Sequence, residues 1–70
     1  MQTIVIHCKP SLLETVKNLN LNYVEHLDEV DVNIPYTNDV EDLNNKYSDD
    51  EDFVNHFGLD YEQINCIELI

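Results

Sequence analysis

Apolar residues in this chain of 70 residues follow two different periods, and these periods predict alternating strands and helices. Residues 2–8 are rich in β-branched side chains and apolar near their centre, which is typical of an interior strand. An apolar stripe at helical spacing comes next, formed by Leu12, Leu13, Val16 and Leu19. Because Ser11 and Glu14 have the spacing of a capping box, we expect a first helix over about residues 11–19.

The region from residue 21 to residue 34 has a weak pattern at its start and a clear one at its end. Its last apolar residues alternate with polar ones, as they do in strands: Val30, Val32 and Ile34. Asp28 and Glu29 separate this stretch from a weaker alternation before it. Two alternatives therefore stay open, one long bent strand or a hairpin that turns at these acids, and Pro35 ends the segment in either case.

Two short helices and a closing strand are predicted in the second half of the chain. Thr37 or Asn38 is a suitable N-cap for the first of these helices. Its apolar stripe consists of Val40, Leu43 and Tyr47. Because acids occupy the other positions at the start of this helix, its outer face is expected to be acidic.

The next helix has signals at both of its ends. Ser48 and Glu51 are spaced as a capping box, which predicts a helix over about residues 49–57. Gly58 is the only glycine of the chain, and it suits the left-handed position that follows a helix. Residues 64–70 are apolar at alternating and neighbouring positions, so we interpret them as the closing strand.

Together these elements predict one domain over residues 1–70. Its expected class is α/β (α+β), a small two-layer domain of three or four strands with about three short helices. A content of 43% hydrophobic residues, arranged in runs, argues against disorder. The chain opens without a basic, apolar leader and has no long apolar stretch, so we expect a cytoplasmic protein.

Cys8 and Cys66 lie at opposite ends of the chain, each within an apolar run. Free cysteine in such surroundings behaves as a small buried hydrophobe, and we expect this of both residues. A structural disulfide is not expected in a reducing compartment, although the pattern leaves open whether the two thiols are close. Two cysteines at this spacing do not predict a zinc site either.

Charge is the feature that most constrains function. Fifteen acids stand against three lysines and no arginine, which gives a formal net charge of -12. A field of this sign attracts cationic surfaces and repels nucleic acid and anionic membranes. The expected partner is therefore a basic protein, and neither direct nucleic-acid nor membrane binding is expected.

Acids are densest between residues 39 and 52. Seven of them fall in this stretch: Asp39, Glu41, Asp42, Asp49, Asp50, Glu51 and Asp52. At a helical rise of about 1.5 Å per residue this is roughly one charge per 3 Å, similar to one DNA strand at about 3.4 Å per phosphate. These seven acids form a first row of charge. If the sheet edge lies beside the helices, four further acids are predicted to form a second row that faces it: Glu25, Asp28, Glu29 and Asp31.

Helix-dipole complementarity is the simpler explanation of acids in a first turn. It accounts for one or two carboxylates but not for four in succession at residues 49–52, because like charges at such spacing oppose one another. We therefore interpret the acids as a surface that imitates phosphates. Core packing or partner anchoring are alternative roles for the interleaved aromatic residues Tyr36, Tyr47, Phe53 and Tyr61.

The chain resembles the phage-encoded DNA-mimic proteins. The resemblance rests on its two acidic runs, at residues 39–42 and 49–52, and on its size and charge. Within that class it is most similar in kind to the small acidic phage inhibitor of the bacterial histone-like protein HU. The resemblance implies a catalytically inert inhibitor that acts in the host bacterial cytoplasm and blocks DNA binding by HU. Mimics directed at uracil-DNA glycosylase, restriction enzymes or CRISPR nucleases share this outward character, and a homodimer through a strand edge stays open.

Other classes of function lack the residues that they need. No arginine, glycine-rich phosphate loop or nucleophile motif accompanies His7, His26 and His56, so we expect no enzyme, no catalytic residue and no cofactor. The acids do not follow the spacing of a calcium-binding loop, and no metal site is expected. An acidic protein-interaction adaptor is the remaining alternative, and competition with DNA would separate it from a mimic.

Overall fold

A four-stranded antiparallel sheet organises the computed structural model, which describes residues 2–47 and 49–70. The strands are β1 (Thr3–Cys8), β2 (Tyr23–Glu25), β3 (Val30–Pro35) and β4 (Ile64–Leu69), in the spatial order β2-β3-β1-β4. The helices are α1 (Leu13–Asn18), α2 (Asn38–Lys46) and α3 (Asp50–His56), with 3₁₀ turns at Pro10–Leu12 and Tyr61–Gln63. The predicted class, a small α+β domain, is confirmed.

β1 lies in the interior of the sheet, as its β-branched sequence predicts. It pairs with β3 on one side and with β4 on the other, both antiparallel. Ile6 is opposite Val32 of β3 and Ile67 of β4, so three apolar side chains stand in one row across the sheet. This row anchors the core, since Ile6 and Val32 are fully buried.

The region between residues 21 and 34 forms a hairpin, which decides between the two alternatives that the sequence leaves open. β2 pairs antiparallel with β3, from Tyr23 opposite Val32 to Glu25 opposite Val30. The turn is closed by a hydrogen bond of 2.8 Å from the His26 amide to the Glu29 carbonyl. Because β2 has only three residues, it forms a short edge to the sheet.

The main hydrophobic cluster lies on one face of the sheet, and Val5 is buried on the opposite face, across from Asn33 and Glu68. Strand residues on the face of the main cluster alternate with those on the other, and the buried set comprises Ile4, Ile6, Cys8, Val30, Val32 and Ile34. Residues of the helices and turns that pack on this face complete the core: Leu12, Val16, Phe53, Val54 and, just beyond α3, Leu59. We call the opposite side the outer face; it carries none of these core residues, and its polar positions include His7, Asp31, Asn33 and Glu68.

Two of the predicted helix signals are confirmed, and they have clear physical causes. Thr37 is the N-cap of α2, where its side chain accepts a hydrogen bond of 3.3 Å from the Val40 amide. Gly58 follows Phe57, the C-cap of α3, and has a φ of +85°, a conformation that glycine adopts without strain. A Cβ atom at this position would lie 3.1 Å from a methyl group of Leu19, so the glycine also allows close packing.

The capping box predicted for Ser11 and Glu14 is wrong. Pro10 starts a 3₁₀ turn, so Ser11 lies inside the turn instead of ahead of a helix, and its hydroxyl donates to the Gln63 side chain. The second predicted box involves Ser48, which lies outside the described residues. The N-cap of α3 is Asp49, whose carboxylate accepts a hydrogen bond of 2.9 Å from the Asp52 amide.

The two cysteines differ in burial. Cys8 is fully buried in the core, as predicted, but the prediction for Cys66 is wrong because its side chain is exposed. The reason is the register: Cys66 is opposite His7 and therefore lies on the outer face, in a strand at the edge of the sheet. Both thiols are free, and they point to opposite sides of the sheet. No helix in the described part of the chain is long and apolar enough to cross a membrane.

Candidate functional site

Seven carboxylates on and just before α2 and α3 form what we call the acidic helical surface: Asp39, Glu41, Asp42, Asp49, Asp50, Glu51 and Asp52. All seven side chains are exposed. Within residues 2–47 and 49–70, none of them lies within 4.0 Å of a lysine or histidine nitrogen. The nearest cation in sequence, Lys46, instead lies over the Tyr47 ring at 5.6 Å. The negative charge of this surface is therefore presented to solvent without internal neutralisation.

Apolar residues of the same helices determine the direction of these acids. Phe53 and Val54 of α3 are buried in the core, and Val40 and Leu43 of α2 pack against it. Because these residues occupy the inner side of each helix, the charged positions between them point outward. The predicted helical stripes thus hold the acids on the surface by packing.

The charges are grouped and not evenly spaced. α2 ends at Lys46 and α3 begins at Asp50, so the acids belong to two separate helices. In α3, three carboxylates follow one another from Asp50 to Asp52, within roughly 3 Å of helix rise. Asp49 differs from them because it is engaged as the N-cap. The densest negative charge is therefore at the start of α3.

The four acids of the predicted second row divide into two pairs. Glu25 and Asp28 are exposed on the β2–β3 hairpin. Asp31 alternates with the buried Val30 and Val32, so it lies on the outer face, away from the helices, where it converges with Glu29 on a histidine. The structure therefore does not bring Glu29 and Asp31 beside the acidic helical surface.

Glu29 and Asp31 belong to a group on the outer face that we call the histidine cluster: His7, His26, Glu29, Asp31 and Glu68. His7 is at its centre, with Nδ1 at 3.0 Å from Glu29 Oε2 and at 2.9 Å from Asp31 Oδ1. Its Nε2 atom lies 2.7 Å from Glu68 Oε1. His26 Nε2 approaches the other oxygen of Asp31 at 3.0 Å.

These contacts change the protonation of the cluster. Hydrogen bonding to Glu29, with further contributions from Glu68 and Asp31, raises the pKa of His7 to about 9 against the opposing effect of burial. For Asp31, burial acts to raise the pKa, but hydrogen bonds with Glu29 and His7 and the charges of the two histidines hold it below its usual value. The charge of His7 thus partly compensates the carboxylates of this cluster, unlike those of the acidic helical surface.

Sequence reasoning did not find the histidine cluster. His7 is separated from Glu29 by 22 residues, from Asp31 by 24 and from Glu68 by 61. The sequence holds one signal that was not used: His7 lies between the apolar Ile6 and Cys8, as Asp31 lies between two valines, so strand alternation turns both side chains away from these apolar neighbours. Only the strand register places them opposite each other.

A shallow groove borders the acidic helical surface. Its apolar lining comes from Ile4, Tyr36, Phe53, Ile67 and Leu69, and its polar lining from Asn44, Asp50 and Glu68. With a volume of about 170 Å³ it is smaller than typical small-molecule sites of roughly 300–1,000 Å³. A groove of this size fits one apolar side chain of a partner, next to the carboxylate of Asp50.

Neither a family model, nor a curated protein, nor a solved structure matches this chain. A functional conclusion therefore depends on the chemistry of the two charged regions. One of them carries uncompensated charge on a packed scaffold, and the other carries charge that a histidine partly compensates.

Proposed function

We propose that this protein is a non-enzymatic DNA mimic, which binds the cationic DNA-binding surface of a basic protein and blocks it. The observation that carries this proposal is the acidic helical surface, whose seven exposed carboxylates have no lysine or histidine partner in the described chain. Concentrated like charge destabilises a small fold. A cationic partner surface would offset this repulsion, because its positive charges would pair with the exposed carboxylates.

The particular target we propose is the bacterial histone-like protein HU, in keeping with the resemblance to phage inhibitors of HU. Architectural proteins of this type bind DNA mainly through its backbone and its deformation, with little base readout. A decoy for such a protein needs carboxylates on a stable scaffold and no imitation of base edges. The helices supply the carboxylates, and their packing on the sheet supplies the scaffold.

The pairing of the acids supports the helical acids over the second row as the main contact that we propose. Glu29 and Asp31 already share the charge of His7, so they have less negative charge to offer a partner than the helical acids do. Glu25 and Asp28 remain exposed, but on the hairpin at the β2 edge of the sheet. We therefore assign the main contact to the acidic helical surface and a secondary, peripheral contribution to Glu25 and Asp28.

The groove beside α3 supports this assignment. Cationic contacts alone are screened by salt, whereas burial of an apolar side chain is not. In the groove, Phe53 and Ile67 form apolar walls next to Asp50. A lysine or arginine of the partner can lay its aliphatic stem on these walls and direct its charged end toward the carboxylate.

Competition with DNA tests the proposal directly. A labelled duplex bound to HU is titrated with the protein while fluorescence anisotropy is followed, at about 150 mM salt. We expect the duplex to be released as the protein binds, and we expect weaker release at higher salt. Binding to HU that leaves the duplex in place would support the adaptor alternative instead.

No binding to HU at all would contradict the choice of target. The same titration with a uracil-DNA glycosylase, a restriction enzyme and a CRISPR nuclease then tests the class. Displacement of DNA from one of these proteins would support DNA mimicry and identify that protein, instead of HU, as the target. Failure with all of them would contradict DNA mimicry as a whole.

A further inference from the structure

The histidine cluster brings together three different side chains that can each bind a metal ion. One ligand atom from each of His7, Glu29 and Asp31 lies within 4.8 Å of the other two. The side chains are between 16% and 29% exposed, so the group is sheltered but open to ions from solvent. The set contains an imidazole nitrogen as well as oxygens, which distinguishes it from the acids elsewhere on the surface.

The distances within the group are close to those of a coordinated ion. Zinc binds nitrogen and oxygen at about 2.0–2.2 Å, and in a tetrahedron this places neighbouring ligand atoms roughly 3.3 Å apart. His7 Nδ1 is 3.0 Å from Glu29 Oε2 and 2.9 Å from Asp31 Oδ1. A shift of a few tenths of an ångström brings each of these two pairs to that spacing, and all three ligand atoms already lie within 4.8 Å of one another.

Glu68 supplies a second and separate indication. It lies 2.7 Å from His7 Nε2, the nitrogen on the far side of the ring from the two carboxylates. In the metal-free protein the proton on Nδ1 is shared with Glu29 and Asp31, and a metal ion bound at Nδ1 takes the place of that proton. A carboxylate behind a histidine is the usual support of a metal ligand, and Glu68 occupies that position.

We propose that His7, Glu29 and Asp31 form a binding site for a single zinc ion or a similar divalent transition-metal ion. Water completes the coordination, and Glu68 orients His7 from behind. His26 supports the site through its contact of 3.0 Å with the free oxygen of Asp31. An imidazole ligand favours zinc over magnesium and calcium, which prefer sites made of oxygen alone.

The site lies apart from the acidic helical surface, although its support residue Glu68 also lines the groove beside α3. It lies on the outer face of the sheet, whereas the helices that carry the acidic helical surface pack on the other face. Its ligands come from β1 and from the β2–β3 hairpin, so a bound ion would connect the hairpin to the centre of the sheet. We expect the ion to raise the stability of this hairpin and to leave the helices unchanged.

Zinc titration of the purified full chain tests the site, with calorimetry in a buffer that does not chelate zinc. A Cys66→Ser background removes the exposed thiol that lies opposite His7 in the register. We expect one saturable site, with magnesium and calcium binding at least about a hundredfold more weakly. The cobalt-substituted protein should show the visible absorption of a nitrogen- and oxygen-bound ion.

Matched variants separate a built site from general attraction to negative charge. Glu29→Gln with Asp31→Asn should weaken zinc binding by about a hundredfold or more, because both are ligands. Glu25→Gln with Asp28→Asn removes the same charge from the same hairpin and should leave the affinity within about threefold. The support residue is tested by Glu68→Gln, which we expect to weaken binding roughly tenfold to a hundredfold.

Three outcomes would overturn the assignment. The first is equal loss in the two double variants, and the second is similar binding of zinc, magnesium and calcium, since each indicates nonspecific attraction. The third is a requirement for Cys66, which would move the site to the thiol. Circular dichroism checks the fold of each variant; should Glu29→Gln with Asp31→Asn fail to fold, the single variant His7→Gln must lose the site instead.

Discussion

The acidic helical surface and the histidine cluster use the same residue types in opposite ways. On α2 and α3, seven carboxylates are exposed and have no cationic side chain beside them in the described chain. On the outer face, three carboxylates surround His7 at 2.7–3.0 Å. Both regions are strongly acidic, but only the histidine cluster compensates part of its charge within the described chain.

This difference assigns different roles to the two regions. Carboxylates that are paired with a cation of the same chain contribute to stability, and they have less charge available for a partner. Carboxylates that repel one another on a helix reduce stability, and their charge is available for binding. We therefore expect changes in the acidic helical surface to alter target binding, and changes in the histidine cluster to alter the free energy of unfolding.

Removal of helical charge should have the largest effect. The variant neutralises four acids that are not N-caps: Glu41→Gln, Asp42→Asn, Glu51→Gln and Asp52→Asn. Each exposed ion pair with the target contributes up to about 1 kcal/mol, so we expect a loss of about 2–4 kcal/mol in binding, or roughly 30- to 1,000-fold. Calorimetric titration against HU measures this change.

A control variant with the same net charge shows whether position matters. It neutralises four exposed acids away from α2 and α3: Glu14→Gln, Glu25→Gln, Asp28→Asn and Glu62→Gln. We expect less than about 1 kcal/mol of lost binding, because these acids do not belong to the main contact. Equal losses in the two variants would show that only the total charge of the chain matters.

Replacement of His7 should have the next largest effect, and on stability. In His7→Gln the carboxylates of Glu29, Asp31 and Glu68 lose the group that compensates them. Because the cluster is partly buried, its energy should lie between that of exposed and that of buried ion pairs. We therefore expect the free energy of unfolding to fall by about 1–2 kcal/mol. Urea unfolding measures it in the presence of a chelator, and affinity for HU should stay within about threefold.

The pH dependence of stability should report the same histidine. The pKa of His7 is about 9 in the folded protein and 6.5 in an unperturbed side chain, so folding increases its affinity for a proton. Its contribution is therefore complete below about pH 6.5 and is lost as the pH rises through about 9. The difference in unfolding free energy between the metal-free protein and His7→Gln should shrink by about 1 kcal/mol over this range.

A difference that stays constant from pH 6 to pH 10 would contradict the role given to His7. The comparison between the two proteins is essential, because other groups of the chain titrate in both and cancel in the difference. Affinity for HU should not follow this profile, since the acidic helical surface contains no histidine contact among the described residues.

Salt should have the smallest effect. From about 10 mM to 150 mM ionic strength the screening length falls from about 30 Å to 8 Å, which weakens repulsion among the helical carboxylates. We expect the melting temperature to rise by a few degrees, corresponding to about 0.5 kcal/mol. The four-acid helical variant should show a smaller rise. An equal rise in the variant and in the unmodified protein would show that the repulsion does not come from the acidic helical surface.

Much of the fold could be predicted from local patterns. The β-branched run of β1 predicted an interior strand, and the stripes in α2 and α3 predicted which side of each helix faces the core. Thr37 and Gly58 marked helix ends because their preferences depend on nearby backbone alone. Each of these signals depends on a few neighbouring residues, so it can be recognised without knowledge of which distant segments pair.

Features that depend on pairing between distant segments could not be predicted. The pattern of Val30, Val32 and Ile34 indicates a strand, but not that Asp31 is opposite His7. For the same reason the exposed Cys66 was expected to be buried: its apolar neighbours do not show that β4 lies at an edge with an open outer face. The histidine cluster is thus a product of register.

Amide chemical shifts of the labelled protein, followed by nuclear magnetic resonance during titration with HU, test the central claim most directly. We expect the signals of residues 39–52 to change first and most, and to return when an excess of duplex DNA is added. Changes confined to the β2–β3 hairpin and the outer face would contradict the claim. Changes in the helices that persist in excess DNA would also contradict it, because the two ligands would then occupy different surfaces of the target.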